Sequence, residues 1–252
     1  MTQRVHIIVE PQPVLLKQQK VSKSAYEGDS LILTCDPPKS STPPHIHWMD
    51  NRMVHITQSD RVVVGIDGKL YFSNVMKSDS RDDYICNAQY SAARTILPET
   101  AVRLTVLPSN NVALGRKPHF LHPTGSHTTV LALQGQSLFL ECIPTGLPTP
   151  KVEWTKKDGN LDEMSRNLEL YNRRLHFHHV SQEHDGEYEC RASNTHGHAK
   201  HSFTLTVEAA PYWVKQPQAL LYSPGETVRL DCQADGIPTP NITWSINGQS
   251  LS

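Results

Sequence analysis

Five cysteines, Cys35, Cys86, Cys142, Cys190 and Cys232, are the residues best able to do covalent or metal chemistry in this 252-residue chain. A thiolate zinc site needs a second Cys two to four residues away, and no two of them stand that close. Oxidation to disulfides is the chemistry left, and it implies an oxidising compartment. Histidine is the second reactive population, 14 residues that include His45-x-His47, His176-x-His178-His179 and His196-x-His198-x-x-His201. Residues two apart on a strand share a face, so His176 and His178 are expected outward with Leu175 and Phe177 inward. Such a pair offers weak metal binding or a surface that charges below about pH 6.5; a solvated strand face is the favoured reading. Lys156-Lys157 with Arg173-Arg174 suggest a basic patch for sulfated glycans, but Asp158, Asp162 and Glu163 interrupt it. The sequence holds no Gly-x-Ser-x-Gly elbow, no phosphate-binding glycine loop and no His-Glu-x-x-His pair, the usual carriers of hydrolytic, nucleotide and metalloprotease chemistry. No catalytic, cofactor-binding or metal-binding residue is therefore assigned, and no enzyme activity or cofactor is expected. Asn241-Ile242-Thr243 is a single Asn-x-Thr sequon, which makes Asn241 an N-glycosylation candidate in a secretory protein.

Lys plus Arg total 24 against 25 Asp plus Glu, so there is no bulk field to attract nucleic acid or an anionic membrane. Mean hydropathy is −0.46, and no apolar stretch approaches the roughly 18 to 20 residues of a membrane-spanning helix. Membrane attachment is expected only through segments downstream of this sequence.

The elements that must position the cysteines repeat three times. Gly28 to Cys35, Gly135 to Cys142 and Gly225 to Cys232 each begin with a turn residue and continue in period-two alternation to the Cys, the pattern of a half-buried strand. Trp48 follows Cys35 by thirteen residues, and Trp154 and Trp244 follow Cys142 and Cys232 by twelve. Tyr84-Ile85-Cys86 and Tyr188-Glu189-Cys190 then come 51 and 48 residues after their first cysteines. This is the Cys…Trp…Cys spacing of an immunoglobulin sandwich, in which a bridge joins two sheets, the Trp packs on it, and a Tyr two before the second Cys anchors a corner. That likeness implies Cys35–Cys86 and Cys142–Cys190 bridges, each worth roughly 4 kcal/mol by loop-closure entropy, and leaves Cys232 unpaired by truncation. It places Trp48, Trp154, Trp244, Tyr84 and Tyr188 in the cores. Strands are expected at 46–49, 61–64, 70–72, 84–88 and 101–106, and again at 152–155, 174–178, 188–192 and 201–207; no segment has a helical period. The fold class is all-β, tandem I-type sandwiches.

Residues 1–10 read as the last strand of a preceding domain, because His6-Ile7-Ile8-Val9-Glu10 parallels Thr204-Leu205-Thr206-Val207-Glu208. The remaining segments are domains 11–107 and 118–208, a hinge at 108–117, and the first half of a further domain at 209–252, so the sequence looks like an excerpt of a longer extracellular chain. Val207-Glu208-Ala209-Ala210-Pro211 leaves little slack, so the second and third copies are expected end to end. The hinge spans some 30 Å at roughly 3.3 Å per residue, enough for the first sandwich to fold back on the second.

Several segments resemble the L-one family of neural cell-adhesion molecules, relatives of neurofascin and neuroglian: Gly146 to Lys157, Val207 to Trp213, Pro224 to Gln233, Asp67 to Phe72 and Asp83 to Cys86. The Ala209-Ala210-Pro211-Tyr212-Trp213 junction points to the branch from which the family takes its name. The resemblance implies the second, third and half of the fourth immunoglobulin domains of a type I glycoprotein at the extracellular face of the plasma membrane. It further implies homophilic and heterophilic adhesion in axon growth and guidance, and a horseshoe in which the second domain lies against the third. A ligand-binding ectodomain of another immunoglobulin receptor is the alternative; paired disulfides and the sequon argue against an intracellular muscle filament. In such domains an acidic residue five before the second Cys commonly pairs with an Arg, so Asp185 is expected to pair with Arg166. Arg81 occupies that position in the first copy, so Arg61 needs Asp82 or another partner.

Overall fold

Alternating apolar residues and turn glycines produce two sandwiches in which each buried Trp lies across from a cystine. The computed structural model describes residues 17–38, 40, 42–159, 161 and 167–251. The segment expected to close a preceding domain, residues 1–10, lies outside them, as does Arg166.

The first sandwich comprises β1 (Gln19–Tyr26), β2 (Leu31–Leu33), β3 (His45–Met49), β4 (Val62–Val64), β5 (Leu70–Phe72), β6 (Arg81–Tyr90) and β7 (Thr95–Leu107). One sheet runs β1-β7-β6-β3 and the other β2-β5-β4. Its first strand pairs parallel with its last, Val21 opposite Val102. Trp48 stands opposite Cys86, is 1% exposed, and donates its indole N–H to the Gly68 carbonyl at 2.9 Å. Cys35 is bonded to Cys86.

After a helical turn, α1 (Asn111–Leu114), the second sandwich comprises β8 (Arg116–His122), β9 (His127–Leu133), β10 (Leu138–Glu141), β11 (Ile143–Leu147), β12 (Lys151–Lys156), β13 (Leu168–Glu169), β14 (Arg174–Phe177), β15 (Gly186–Asn194) and β16 (Gly197–Lys215). β8 thus starts within the expected hinge, where Arg116 pairs with Leu147 of β11. β12-β15-β16 form one sheet, with β9 parallel to β16; β10-β14-β13 form another, and β8 pairs with β11. Cys142 is bonded to Cys190, and Trp154 donates to the Asn172 carbonyl at 2.7 Å.

The two sandwiches share one corner device. Tyr84 donates its hydroxyl to the Asp79 carbonyl at 2.8 Å, and Tyr188 to the His184 carbonyl at 2.7 Å. Phe72 and Phe177 meet these rings edge-on, at 5.7 and 5.5 Å between centroids. Burial pushes the Tyr84 phenol up to about 12 and raises that of Tyr188 as well. The ion pairs around the corners differ. Arg61 donates to both carboxylate oxygens of Asp79, at 2.6 and 2.9 Å, so its partner is Asp79 and not the exposed Asp82. Asp185 accepts the Val207 N–H at 2.9 Å.

β16 continues without a break past Pro211 to Lys215, which places the third copy directly after the second; there β17 (Gln233–Ile237) pairs with it, and β18 (Ser245–Ile246) with β19 (Gln249–Ser250). The expected strand ending at Cys232 is corrected by the structure: residues 226–232 carry no strand. Among the described residues no strand lies beside this segment to complete a ladder, and an isolated extended segment has too few partners to hold its register. Val228 and Leu230 are accordingly 58% and 47% exposed.

Limited proteolysis of the whole chain is expected to cut first within 216–232, leaving the two sandwiches intact; a first cut within β4–β6 or β14–β15 is the opposite result.

Candidate functional site: the seam between the sandwiches

Short apolar triplets build the first part of the seam. In Leu70-Tyr71-Phe72 the alternation turns Leu70 and Phe72 into the core, so Tyr71 points out of the sandwich; Val63, between Val62 and Val64, does the same. Both outward residues are nonetheless only 2% exposed. They are covered by Ile143 of the second sandwich, with Ile32 and Leu121 packed alongside. A strand buried on both faces reads as an unbroken apolar run, and this was the signal the sequence offered.

Side chains that complete each other's backbone build the second part. Ser73 donates its hydroxyl to the Pro144 carbonyl at 2.5 Å, and Thr145 returns a hydroxyl to the Ser73 carbonyl at 2.5 Å. Asn74 donates its amide to the Gly146 carbonyl at 2.9 Å and to Thr149 Oγ1 at 3.1 Å. Ser73, Asn74 and Thr145 are all buried, where an unmade hydrogen bond costs about 1–3 kcal/mol. At one end of the seam, Arg116 donates to the Gly28 carbonyl at 2.9 Å and to Thr145 Oγ1 at 2.7 Å. Gly28 sits there at φ +91°, and a Cβ on it would come within 2.8 Å of Leu147.

At the other end Glu141 is the electrostatic anchor. Its carboxylate accepts the Ile66 N–H from the first sandwich at 3.0 and 3.2 Å. It also accepts Nε and Nη2 of Arg174, at 3.1 and 2.9 Å, while Arg174 Nη2 reaches the Val64 carbonyl at 3.3 Å. Burial pushes the Glu141 carboxyl up, and the Ile66 N–H and the Arg174 guanidinium oppose that shift. Beyond this anchor a cleft of about 640 Å3 opens between the sandwiches, lined by His47, His55, Gln58, Phe139, Leu170 and Arg174 among others.

The expected site residues are distributed around this seam rather than in it. Cys35, Cys86, Cys142 and Cys190 form the two core cystines, and Trp48, Trp154, Tyr84 and Tyr188 are buried beside them. Trp244 is partly buried, Asn241 is exposed, and Cys232 is a free, partly buried thiol. Leu175 and Phe177 point inward and His176 and His178 outward. His176 is engaged by Glu169 and Ser137, both at 2.9 Å, and stacks on Phe139 at 4.0 Å. No group of three metal-ligating side chains occurs among the described residues. The basic patch is dismantled by packing: Arg174 turns to Glu141, and Arg173 is 3% exposed, donating to the Tyr171 and Pro150 carbonyls at 2.6 and 2.7 Å. Burial draws the Arg173 guanidinium down to about 10. Sequence reasoning missed Asn74, Glu141 and Arg116, since alternation gives the face of a residue and not its partner.

Against known proteins, the immunoglobulin I-set domain matches residues 118–207 and 211–252, and an immunoglobulin domain matches residues 12–89. The chain belongs to the immunoglobulin I-set family. Within it, these are immunoglobulin domains of the L1 kind, as the resemblance implied. The chain is 54% identical over 246 residues to Neural cell adhesion molecule L1 of Takifugu rubripes, covering 98% of this chain and 19% of that protein. It is 44% identical over 251 residues to Neural cell adhesion molecule L1 of Mus musculus, covering 100% of this chain and 20% of that one. It thus spans about a fifth of the length of the curated relatives it matches. Among solved structures, Sidekick-1 immunoglobulin domains 1–4 share the fold at a TM-score of 0.74 and 22% identity, over 94% of this chain and 62% of that one. The insect immune protein hemolin aligns at a TM-score of 0.72 and 26% identity over 95% of this chain and 64% of its own, and is described as a domain arrangement with implications for homophilic adhesion.

Glu141→Ala in this I-set chain is expected to lower stability by about 3 kcal/mol, because it strands the Arg174 charge and the Ile66 N–H. Urea denaturation measures it, and a loss below about 1 kcal/mol removes Glu141 as the anchor.

Proposed function

We propose that the two packed sandwiches form the adhesion module of a cell-surface neural molecule that binds identical or related ectodomains on an opposing cell. The observation that carries this reading is the seam: paired backbone-to-side-chain hydrogen bonds fix one sandwich beside the other, so a partner meets one preformed surface rather than two tethered beads. Preorganisation of this kind lowers the entropy cost of docking, and many weak contacts in a membrane patch add by multivalency. The L1 relatives and the arrangement described for hemolin support it. Homophilic and heterophilic docking, a role in axon growth and guidance, glycosylation at Asn241, and attachment to the plasma membrane through other segments of a longer chain belong to the same proposal. So do the domain limits 11–107 and 118–208. No catalysis is proposed.

The cleft of about 640 Å3 beside Arg174 favours a second reading, a ligand-binding ectodomain of another immunoglobulin-superfamily receptor. Bead aggregation separates the two. Beads of two colours coated with this chain are expected to form mixed clusters only when both carry it. Asn74→Lys, which places a charge in the seam, should reduce clustering several-fold while circular dichroism stays unchanged. Dispersed beads coated with folded protein would overturn homophilic adhesion in favour of a soluble ligand.

A further inference from the structure

Strand β8 serves two interfaces at once. Towards the first sandwich it supplies Leu121 to the apolar part of the seam, and Arg116 to the Gly28 carbonyl. Towards its own sandwich it supplies Phe120, whose ring meets His201 of β16 edge-on at 6.1 Å. Phe203 closes on the same imidazole at 4.9 Å.

His201 is 0% exposed. Its Nδ1 lies 3.1 Å from the Gly125 carbonyl and its Nε2 lies 2.8 Å from Thr128 Oγ1. A carbonyl only accepts, so Nδ1 carries the proton and Nε2 accepts the Thr128 hydroxyl. Both nitrogens of the neutral ring are thereby satisfied, Nδ1 by the crossover from β8 to β9 and Nε2 by Thr128 near the start of β9; the crossover is also tied to β16 by the Ser202 N–H on the Ser126 carbonyl at 3.0 Å. We infer that His201 is an acid-sensitive latch: uncharged, it holds the β8–β9 crossover down and β8 in the seam, and its protonation releases that crossover and opens the side-by-side pair.

The charges facing the latch favour this direction. Burial lowers the proton affinity of His201, against the pull of the Gly125 carbonyl, and His127 at the start of β9 and His122 at the end of β8 lower it further. His127 in turn faces Glu187 of β15, which is bound to Lys157. His122 faces Glu141 of β10, which is bound to Arg174 and to Ile66, and the ring of Tyr71 across the seam. His119 on the same strand faces Arg116. Glu141 acts in the opposite sense, since a carboxyl raised by burial gains from acid.

For His201 the sign is fixed by linkage. In an opened segment it takes a proton near about pH 6.5, whereas the buried ring does so only at lower pH. The open form therefore binds more protons as the pH falls, and it gains up to about tenfold in population per pH unit within that window. Stability of the closed pair is full above the open-form value and declines below it.

The test uses the whole chain with donor and acceptor dyes introduced at Arg103 and Glu153, both exposed and on different sandwiches. Energy transfer is expected to be high at pH 7.4 and to fall reversibly between about pH 6.5 and 5, with far-ultraviolet circular dichroism retained. His201→Gln, which keeps a donor and an acceptor and does not titrate, should hold the transfer at pH 5. Unchanged transfer in the wild type, or an equal fall in the variant, overturns the latch. Histidine NMR on the wild type covers a variant that fails to fold: a His201 midpoint matching the energy-transfer midpoint supports the latch, and protonation without opening overturns it.

Discussion

A buried peptide carbonyl must find a donor, and in this molecule the donors for Pro144 and Gly146 come from the neighbouring sandwich. That constraint explains the shape of the pair better than apolar burial does. Val63, Tyr71 and Ile143 form only a small patch, and a patch of that kind tolerates sliding. The exchange in which Ser73 and Thr145 each satisfy a carbonyl on the other side does not, because a shift of one residue would leave buried polar groups unpaired on both sides. The apolar contact supplies attraction, and the hydrogen bonds select one register.

The guanidiniums at the seam and in the first sandwich's corner each have fixed partners. Arg116 terminates one end of the seam on neutral acceptors, whereas Arg174 terminates the other on Glu141. Arg61 and Asp79 perform a similar task inside the first sandwich, where the Asp79 carboxylate also takes the Met76 N–H. These guanidiniums span gaps between chain segments that backbone pairing does not reach, which suits a planar group with several donors.

Much of this was legible in the sequence wherever periodicity decided the outcome. The two cystines, the tryptophans beside them, and strands such as Leu70–Phe72 follow from residue types at matched offsets. What escaped was pairing across space. Arg81 at the usual acidic position drew attention to Asp82, yet Asp79 is the residue that the 3-10 turn before β6 buries against Arg61. Arg173 and Arg174 are adjacent in sequence, but Arg173 ends the turn before β14 and Arg174 opens the strand, so one enters a buried pocket of carbonyls and the other reaches the seam. The alternation from Gly225 to Cys232 matched the other two copies, although among the described residues no strand stands beside it to make it one. The resemblance of wording supplied the side-by-side arrangement; Asn74, which fixes it, carries no pattern of its own.

The parallel pairing of β1 with β7, and of β9 with β16, also determines how the chain bears tension. In each sandwich an early strand and the last strand run in the same direction, so traction on opposite ends draws them past one another and strains the whole row of hydrogen bonds together, instead of opening it one bond at a time. If a row gives way, the cystines limit the extension: the segments from Cys35 to Cys86 and from Cys142 to Cys190, with sequence separations of 51 and 48, stay closed in loops and add no slack. A chain built in this way lengthens in short, bounded steps when it is pulled.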